Sequence, residues 1–254
     1  MPRDMVDVNS DLGERIGPLK VADDDEILAY VSSANVACMF HAGDPLTMRD
    51  VCRSAKVRGV AVGAHVSLPD PLGFGRRKMS VSADEVYAYV VYQLGALREI
   101  CRHEGIELAH VKPHGALYAM MIERRDVGEA ILDACARSSP RLPLIAHTGT
   151  WLVEEAYRRS IPVLREVLLD RRYGSDGMYR SGEVLSDAAA VGARMRLLLS
   201  SGRIRADDGT EVQIAFDTLC VHSDNPASLT LLKAIRSVAD ELRVAIGQGS
   251  EGAR

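Results

Sequence analysis

Residues 82–114 read SADEVYAYVVYQLGALREICRHEGIELAHVKPH, a long amphipathic segment followed by a short β-branched one. Within Ser82–Glu104 the apolar residues recur at steps of three and four, which predicts a helix. Ser82 and Glu85 have the spacing of a capping box at its start. A glycine ends the helix, and Leu108–Lys112 then predicts a buried strand.

The same alternation of short strand-like runs and longer helical segments extends from near residue 5 to the end of the chain. The predicted strands are Met5–Asn9, Ala34–Phe40, Val60–Ala64, Leu108–Lys112, Leu142–Ala146, Pro162–Val167 and Thr218–Val221. The other predicted helices are Asp24–Ser32, Pro45–Arg58, Arg125–Ser138, Thr150–Ser160, Ser186–Ser200 and Pro226–Val244. Residues 202–217 break the alternation and predict an inserted β-hairpin before the last strand.

Polar, reactive side chains follow nearly every predicted strand. In chain order they are Asn9, Asp11 and Glu14, then His41 and Asp44, His65, Lys112 and His114, His147, Glu166 with Asp170 and Arg171, and finally His222. Strand ends in a closed barrel all face one mouth, whereas an open sheet concentrates ligand groups at one switch point. The sequence therefore predicts an α/β fold, a single seven-stranded TIM-like (β/α) barrel over residues 1–246, with a disordered tail at 247–254.

Composition and charge exclude several classes of protein. The chain has 254 residues with 31 Lys and Arg against 35 Asp and Glu, a net charge of −4, so nucleic acid is not an expected partner. No apolar run approaches the roughly 18 residues of a membrane helix, and the start lacks the apolar stretch of a signal peptide. We therefore expect a cytoplasmic protein without a membrane partner. Its five cysteines, without a CxxC pair, are predicted to be small buried side chains.

Motif searches narrow the chemistry further. The chain contains neither GxxxxGK[ST] nor a helix-opening GxGxxG, so it lacks the usual phosphate-binding loops. GxSxG is also missing, which removes support for a serine hydrolase.

Asp11, His41 and His65 follow three successive strands and form one candidate metal site. One carboxylate and two imidazoles with open positions can generate a hydroxide nucleophile. The alternative is that Asp11 caps a turn while the histidines bind substrate or each other. Asp44 precedes Pro45 and is predicted to cap a helix.

Lys112 and His114 form a second candidate pair. A lysine at the end of a buried strand must find an anion, either a substrate group or an internal aspartate. The long loop 67–79 predicts a lid or a substrate clamp, in which Arg76 binds a carboxylate or remains solvated. Asp170 and Arg171 begin a second polar loop, whose alternative is a simple ion-paired turn.

Taken in order, these segments resemble the LamB/YcsF family, the A subunits of the ATP-hydrolysing 5-oxoprolinases. The resemblance is carried by Val8–Glu14, Ser32–Cys38, Phe40–Asp44, Gly59–His65, Phe74–Arg76, His110–Tyr118, Arg165–Glu166, Asp170–Arg171 with Tyr173, and Cys220–His222. It implies a seven-stranded barrel related to glycoside hydrolases and polysaccharide deacetylases. It also implies one subunit of a three-component system that opens the lactam 5-oxoproline to glutamate with hydrolysis of ATP.

An amide is hydrolysed with a water activator, an oxyanion stabiliser and an acid for the leaving nitrogen. The expected catalytic residues are Asp11 with His41 or His65 for water, Lys112 for a carboxylate or oxyanion, and His114 for nitrogen. The expected substrate-binding residues are Asn9, Glu14, Arg76, Glu166, Asp170, Arg171 and His222. ATP with Mg²⁺ is the expected co-substrate of the complex, and companion subunits are expected partners; a bound divalent metal and a homo-oligomer stay open.

Two alternative functions remain at this point. One is a metal-dependent deacetylase on the same barrel, and the other is a catalytically silent binding or assembly subunit. Met39 and Arg172 stand where the family usually has glycine. We expect their side chains to fill the pocket and to reduce 5-oxoproline binding.

Overall fold

The computed structural model describes residues 4–17 and 19–248. Its strands are β1 (Met5–Leu12), β2 (Arg15–Ile16), β3 (Leu19–Lys20), β4 (Ser33–Ala37), β5 (Ala61–Val66), β6 (Leu108–Pro113), β7 (Leu144–His147), β8 (Val163–Leu168), β9 (Arg171–Tyr173), β10 (Tyr179–Val184), β11 (Arg203–Arg205), β12 (Glu211–Gln213), β13 (Thr218–Cys220) and β14 (Ala245–Ile246). Its α-helices are α1 (Asp24–Leu28), α2 (Pro45–Arg58), α3 (Ala83–Glu104), α4 (Gly115–Glu123), α5 (Arg125–Ala136), α6 (Trp151–Arg158), α7 (Ala188–Ser201) and α8 (Ser228–Leu242).

Seven of these strands form a closed parallel barrel, which confirms the predicted fold. They pair in the order β1, β4, β5, β6, β7, β8 and β13, and β13 pairs back with β1. In β1, Asn9 lies opposite Ser33 of β4 and opposite Cys220 of β13. The carboxyl ends of all seven strands therefore open at one end of the barrel, which we call the mouth.

The chain adds a short strand and three hairpins to the barrel. β14 pairs with the start of β1, and the predicted insertion forms the hairpin β11–β12. Beyond β14, the Gly247 N–H donates to the carbonyl of Val6, and the Gln248 amide donates to Ser33 Oγ at 3.1 Å. Residues 249–254 of the predicted tail lie outside the described residues.

Local sequence signals explain where the helices begin. The capping box of α3 is present, with Glu85 N–H donating to Ser82 Oγ at 3.2 Å and Ser82 N–H donating to Glu85 Oε2 at 2.8 Å. Asp44 caps α2 by accepting from the backbone N–H groups of Leu46 and Thr47. Asp44 is thereby committed to the helix rather than to the chemistry of the mouth.

Periodicity did not reveal α4, which directly follows His114. The helix buries Ala116, Leu117, Met120 and Met121, so its sequence carries little contrast between faces. In the described part of the chain, no helix combines the length and apolarity needed to cross a membrane.

Candidate active site

Lys112 is the central charge of the mouth. It lies near the end of β6 with 2% of its surface exposed. Its Nζ is 2.9 Å from Glu166 Oε1, 3.2 Å from Asp11 Oδ1 and 3.0 Å from Asn9 Oδ1. Burial favours loss of the proton, but Asp11 and the other surrounding acidic groups outweigh it and hold the pKa of Lys112 well above its usual range. Lys112 is therefore an ammonium ion.

Asp11 at the end of β1 is the ionised partner. Its Oδ1 accepts from Asn35 Nδ2 at 2.9 Å as well as from Lys112, and its Oδ2 lies 3.5 Å from His65 Nε2. Burial would raise the pKa of Asp11, but His65 and Lys112 together hold it well below its usual range. The mouth thus contains a buried, permanently charged pair.

A second buried cluster, the His–Glu cluster, consists of Glu14, His41, His65 and His114. One donor atom from each lies within 4.8 Å of all the others. Glu14 Oε1 is 3.0 Å from His41 Nε2, and His65 Nε2 is 3.0 Å from His114 Nδ1. Burial lowers the pKa of His41 and His114 well below the usual range and raises that of Glu14.

The predicted metal set of Asp11, His41 and His65 is not the set that the fold brings together. Asp11 is held by Asn35 and the Lys112 ammonium, while Glu14 joins the histidines. Three imidazole nitrogens and one carboxylate oxygen are a donor set that fits a divalent transition metal.

The loop 67–79 forms a fixed wall against the His–Glu cluster. Phe74 O lies 2.8 Å from His114 Nε2, and Gly75 O accepts from Ala116 N–H at 2.8 Å. Gly75 has φ +66°, and a Cβ there would lie 2.7 Å from His114 Cδ2 and 2.8 Å from His41 Cβ. Glycine is required at this position both for its backbone conformation and for its close approach.

His222 and Asp170 form a further charged pair. His222 Nδ1 is 2.9 Å from Asp170 Oδ1, and Arg171 Nη1 donates to Asp170 Oδ2 at 2.8 Å. Burial opposes the charge on His222, but the Asp170 carboxylate outweighs it and raises the pKa of His222 well above its usual range. His222 therefore keeps its proton at neutral pH.

A cavity of about 270 Å³ joins these groups. Asp11, His65, Lys112 and His114 line its barrel side together with Glu166 and His222. Arg76, Lys78 and Arg171 line its rim. Because the positive groups outnumber the two carboxylates, the cavity favours a small anion. Its volume is at the lower end of the roughly 300–1,000 Å³ of ligand pockets.

The structure separates the predicted site residues into two groups. Asp11, His65, Lys112, His114, Arg76, Glu166, Arg171 and His222 line the cavity. Asn9, Glu14, His41 and Asp170 lie behind it, so our expectation that they touch substrate or water is wrong. Asn9, for example, is fully buried and donates to Glu166 Oε1 at 3.2 Å, which makes it a positioning residue.

His114 also loses its predicted role as the acid for nitrogen. Its Nε2 faces Phe74 O and its Nδ1 faces His65, so both ring nitrogens are engaged. The protonated His222 takes the place of His114 as the proton donor at the cavity.

Several residues of the site escaped the sequence analysis. Tyr118 lines the cavity and donates its hydroxyl to Glu166 Oε2 at 2.8 Å, while Tyr179 and Lys78 also reach the cavity. Asn35 donates to both Asn9 and Asp11 from the middle of β4. A polar amide within a predicted buried strand was the signal that could have identified Asn35.

The expectation that Met39 and Arg172 fill the pocket is also wrong. Neither residue lines the cavity. Met39 is 49% exposed, and Arg172 points to Asp207 and Glu183 on the surface. Met39 has φ +73°, a left-handed conformation that favours glycine. At position 39, glycine therefore serves the backbone turn rather than the volume of the site.

We expect Met39→Gly to raise the free energy of unfolding by about 1 kcal/mol, because it removes a strained left-handed conformation. Urea denaturation measures the change, and Arg172→Gly, which relieves no such strain, is the control. A lower KM for a lactam in either variant would restore the idea that these side chains restrict the pocket.

The sequence and the fold both match known proteins. A model of the LamB/YcsF family matches residues 6–253. The A subunit of a 5-oxoprolinase from Mycobacterium avium (strain 104) is 44% identical over 244 residues, which cover 94% of this chain and 96% of that protein. The crystal structure of a lactam utilization protein from Thermus thermophilus has a TM-score of 0.91 and 40% identity, covering 96% of this chain and 100% of that one.

A more distant match shows the fold alone. The catalytic domain of a peptidoglycan N-acetylglucosamine deacetylase from Eubacterium rectale ATCC 33656 has a TM-score of 0.53 at 11% identity. It covers 99% of this chain and 91% of that domain. The barrel is thus shared with deacetylases, whereas similarity at the level of sequence is to the lactam proteins.

Proposed function

Because the chain belongs to the LamB/YcsF family, we propose that it is the lactam-cleaving component of an ATP-consuming 5-oxoprolinase. The observation that carries the proposal is the small cavity with an excess of positive charge. 5-Oxoproline is a compact ring that bears one carboxylate and one amide. The cavity offers cations for the first and a charged donor and acceptor for the second.

The carboxylate of the substrate binds at the rim, where Arg76, Lys78 and Arg171 converge. Guanidinium groups bind carboxylates through two parallel hydrogen bonds, which fixes the orientation of the ring as well as its charge. This anchoring directs the amide toward Lys112 and Asp11 on the barrel side of the cavity.

Lys112 and His222 supply the positive groups for the amide. The Lys112 ammonium stabilises negative charge on the carbonyl oxygen as water adds, and its contacts with Asp11 and Glu166 hold it in place. His222 donates a proton to the leaving nitrogen, and Asp170 keeps it protonated until then.

Asp11 orients the attacking water and accepts its proton. Since its pKa is held well below the usual range, Asp11 is a weak base for an unactivated amide. This weakness supports a requirement for ATP, whose phosphoryl group would activate the carbonyl oxygen before water attacks. ATP and Mg²⁺ are co-substrates of the complex, and companion subunits carry out the phosphoryl transfer.

Relatives that are named as one lettered component of 5-oxoprolinase imply a multi-subunit assembly. We place the complex in the cytosol, where ATP is abundant and where the five free, buried cysteines of this chain stay reduced.

The isolated chain is expected to show little ATP-dependent hydrolysis of 5-oxoproline, and adding the companion subunits is expected to release glutamate. The assay measures glutamate and ADP over a panel of lactams. 5-Oxoprolinamide, which lacks the carboxylate, is the matched control and is expected to react at least about tenfold more slowly, equivalent to the loss of one charged contact.

Three results would contradict the proposal. Robust turnover by the isolated chain would remove the need for partners. Release of acetate from an N-acetylated sugar, with no lactam opened, would identify a deacetylase. Full activity of the companions without this chain would identify it as a silent assembly component.

A further inference from the structure

We propose that the His–Glu cluster of Glu14, His41, His65 and His114 binds one divalent transition-metal ion, for which Zn²⁺ is the best match. The inference comes from the hydrogen-bond partners of the three rings and does not depend on the lactam reaction.

The outer partners of His65 and His114 fix where each ring carries its hydrogen. His65 Nδ1 lies 2.9 Å from the carbonyl oxygen of Lys112, and His114 Nε2 lies 2.8 Å from that of Phe74. A carbonyl oxygen only accepts, so both of these nitrogens carry N–H groups. In the neutral rings the opposite nitrogens, His65 Nε2 and His114 Nδ1, are bare acceptors, yet they lie 3.0 Å apart.

His41 shows the same arrangement through a serine. Ser67 Oγ donates its hydrogen to Leu68 O at 3.1 Å, and it therefore accepts from His41 Nδ1 at 2.9 Å. The other ring nitrogen, His41 Nε2, is again a bare acceptor, and it faces Glu14 Oε1 at 3.0 Å. Four acceptor atoms thus converge in a buried space.

A single cation satisfies all four acceptors at once. Bonds of about 2.0–2.1 Å to a tetrahedral ion place the donor atoms roughly 3.3 Å from one another. The separations here are 3.0 Å for Glu14 to His41, 3.4 Å for Glu14 to His114, 3.9 Å for Glu14 to His65 and 3.0 Å between His65 and His114. Backbone carbonyls on the far side of two rings are also the usual outer partners of metal-binding histidines.

The donor types select the ion. Three imidazole nitrogens favour Zn²⁺ and its first-row neighbours over Mg²⁺ and Ca²⁺, which prefer oxygen. The rings of His41 and His114 stack with centroids 3.8 Å apart and planes at 6°. Since an ion lies near the plane of each ring that binds it, one of these two rings must turn out of the stack on binding.

Asp11 is not part of this site. Its Oδ1 already accepts from Asn35 and Lys112, and the Lys112 ammonium, 3.2 Å from this oxygen, repels a second cation there. The two carboxylates near His65 therefore have different partners, and variants of each distinguish the sites.

The test is metal binding by the purified full-length chain. After treatment with a chelator, titration with Zn²⁺ is expected to restore about one ion per chain and to raise the thermal midpoint of unfolding. Co²⁺ is expected to give the visible absorption of a tetrahedral nitrogen and oxygen site. Glu14→Gln and His114→Gln are each expected to weaken Zn²⁺ binding at least about tenfold, since each removes or weakens a ligand.

Asp11→Asn and His110→Gln are the matched controls, because both change a buried polar residue of the mouth outside the His–Glu cluster, and both are expected to bind as the wild type does. Circular dichroism checks that each variant is folded, and the wild-type titrations decide the question if a variant is not. Absence of stoichiometric Zn²⁺ and of a Co²⁺ spectrum in the wild type would overturn the proposal. Loss of the ion in Asp11→Asn but not in Glu14→Gln would also overturn it.

Discussion

Replacing Lys112 with methionine is expected to lower the free energy of unfolding by about 3–5 kcal/mol, because the change leaves Asp11 and Glu166 buried without their counter-ion. Methionine has nearly the shape of lysine, so lost packing contributes little. Hydrolysis by the reconstituted complex is expected to fall by about 10²–10³-fold as well, because the donor to the carbonyl oxygen is removed. Urea denaturation at neutral pH and initial rates measure the two effects.

Lys78→Met is the control for this prediction. Lys78 lines the same cavity, but its side chain is 58% exposed and it pairs with Glu123 on the surface. Exposed pairs contribute about 0–1 kcal/mol, so we expect a small change in stability. Equal losses of stability in the two variants would show that the buried network around Lys112 does not stabilise the barrel.

Asp170→Asn is expected to lower kcat/KM by about 10²–10⁴-fold, because the asparagine no longer holds the proton on His222. In the wild type, the carboxylate raises the pKa of His222 above its usual value near 6.5. The alkaline limb of the activity profile is therefore expected to lie above that value, and to move to lower pH in the variant.

The same pair also predicts how stability depends on pH. A pKa raised in the folded state stabilises the protein fully below the ordinary pKa of histidine, and this stabilisation is lost as pH rises through the folded value. In Asp170→Asn that dependence is expected to be absent. Asp207→Asn, which breaks the exposed pair with Arg172, is the control. An unchanged alkaline limb in Asp170→Asn would eliminate His222 as the proton donor.

The sequence determined the architecture of this protein. Helix periods, caps and short β-branched runs are local properties, so residues within one segment were sufficient to identify α3, its capping box and the neighbouring strands. The closed parallel order also followed, since each strand is connected to the next by a helix and ends in polar residues. Asp11, His65, Lys112 and His222 were singled out on that basis alone.

Tertiary structure decided which of these residues meet. Asn9 contacts Glu166 across 157 positions of the chain, and Lys112 contacts Cys220 across 108. Such contacts depend on how barrel closure and loop paths place side chains at the mouth, and no periodic pattern encodes them. Glu14 therefore joined the histidines while Asp11 paired with Lys112, and His41 was sealed behind the cavity.

Met39 shows the same division at a single residue. Its sequence position, next to a predicted strand exit, suggested a side chain inside the pocket. Only the backbone of the folded chain showed that its φ is +73° and that its side chain is half exposed. The sequence by itself specifies which chemical groups reach the mouth of the barrel, whereas their distances, partners and protonation states arise only when distant strands close into one ring.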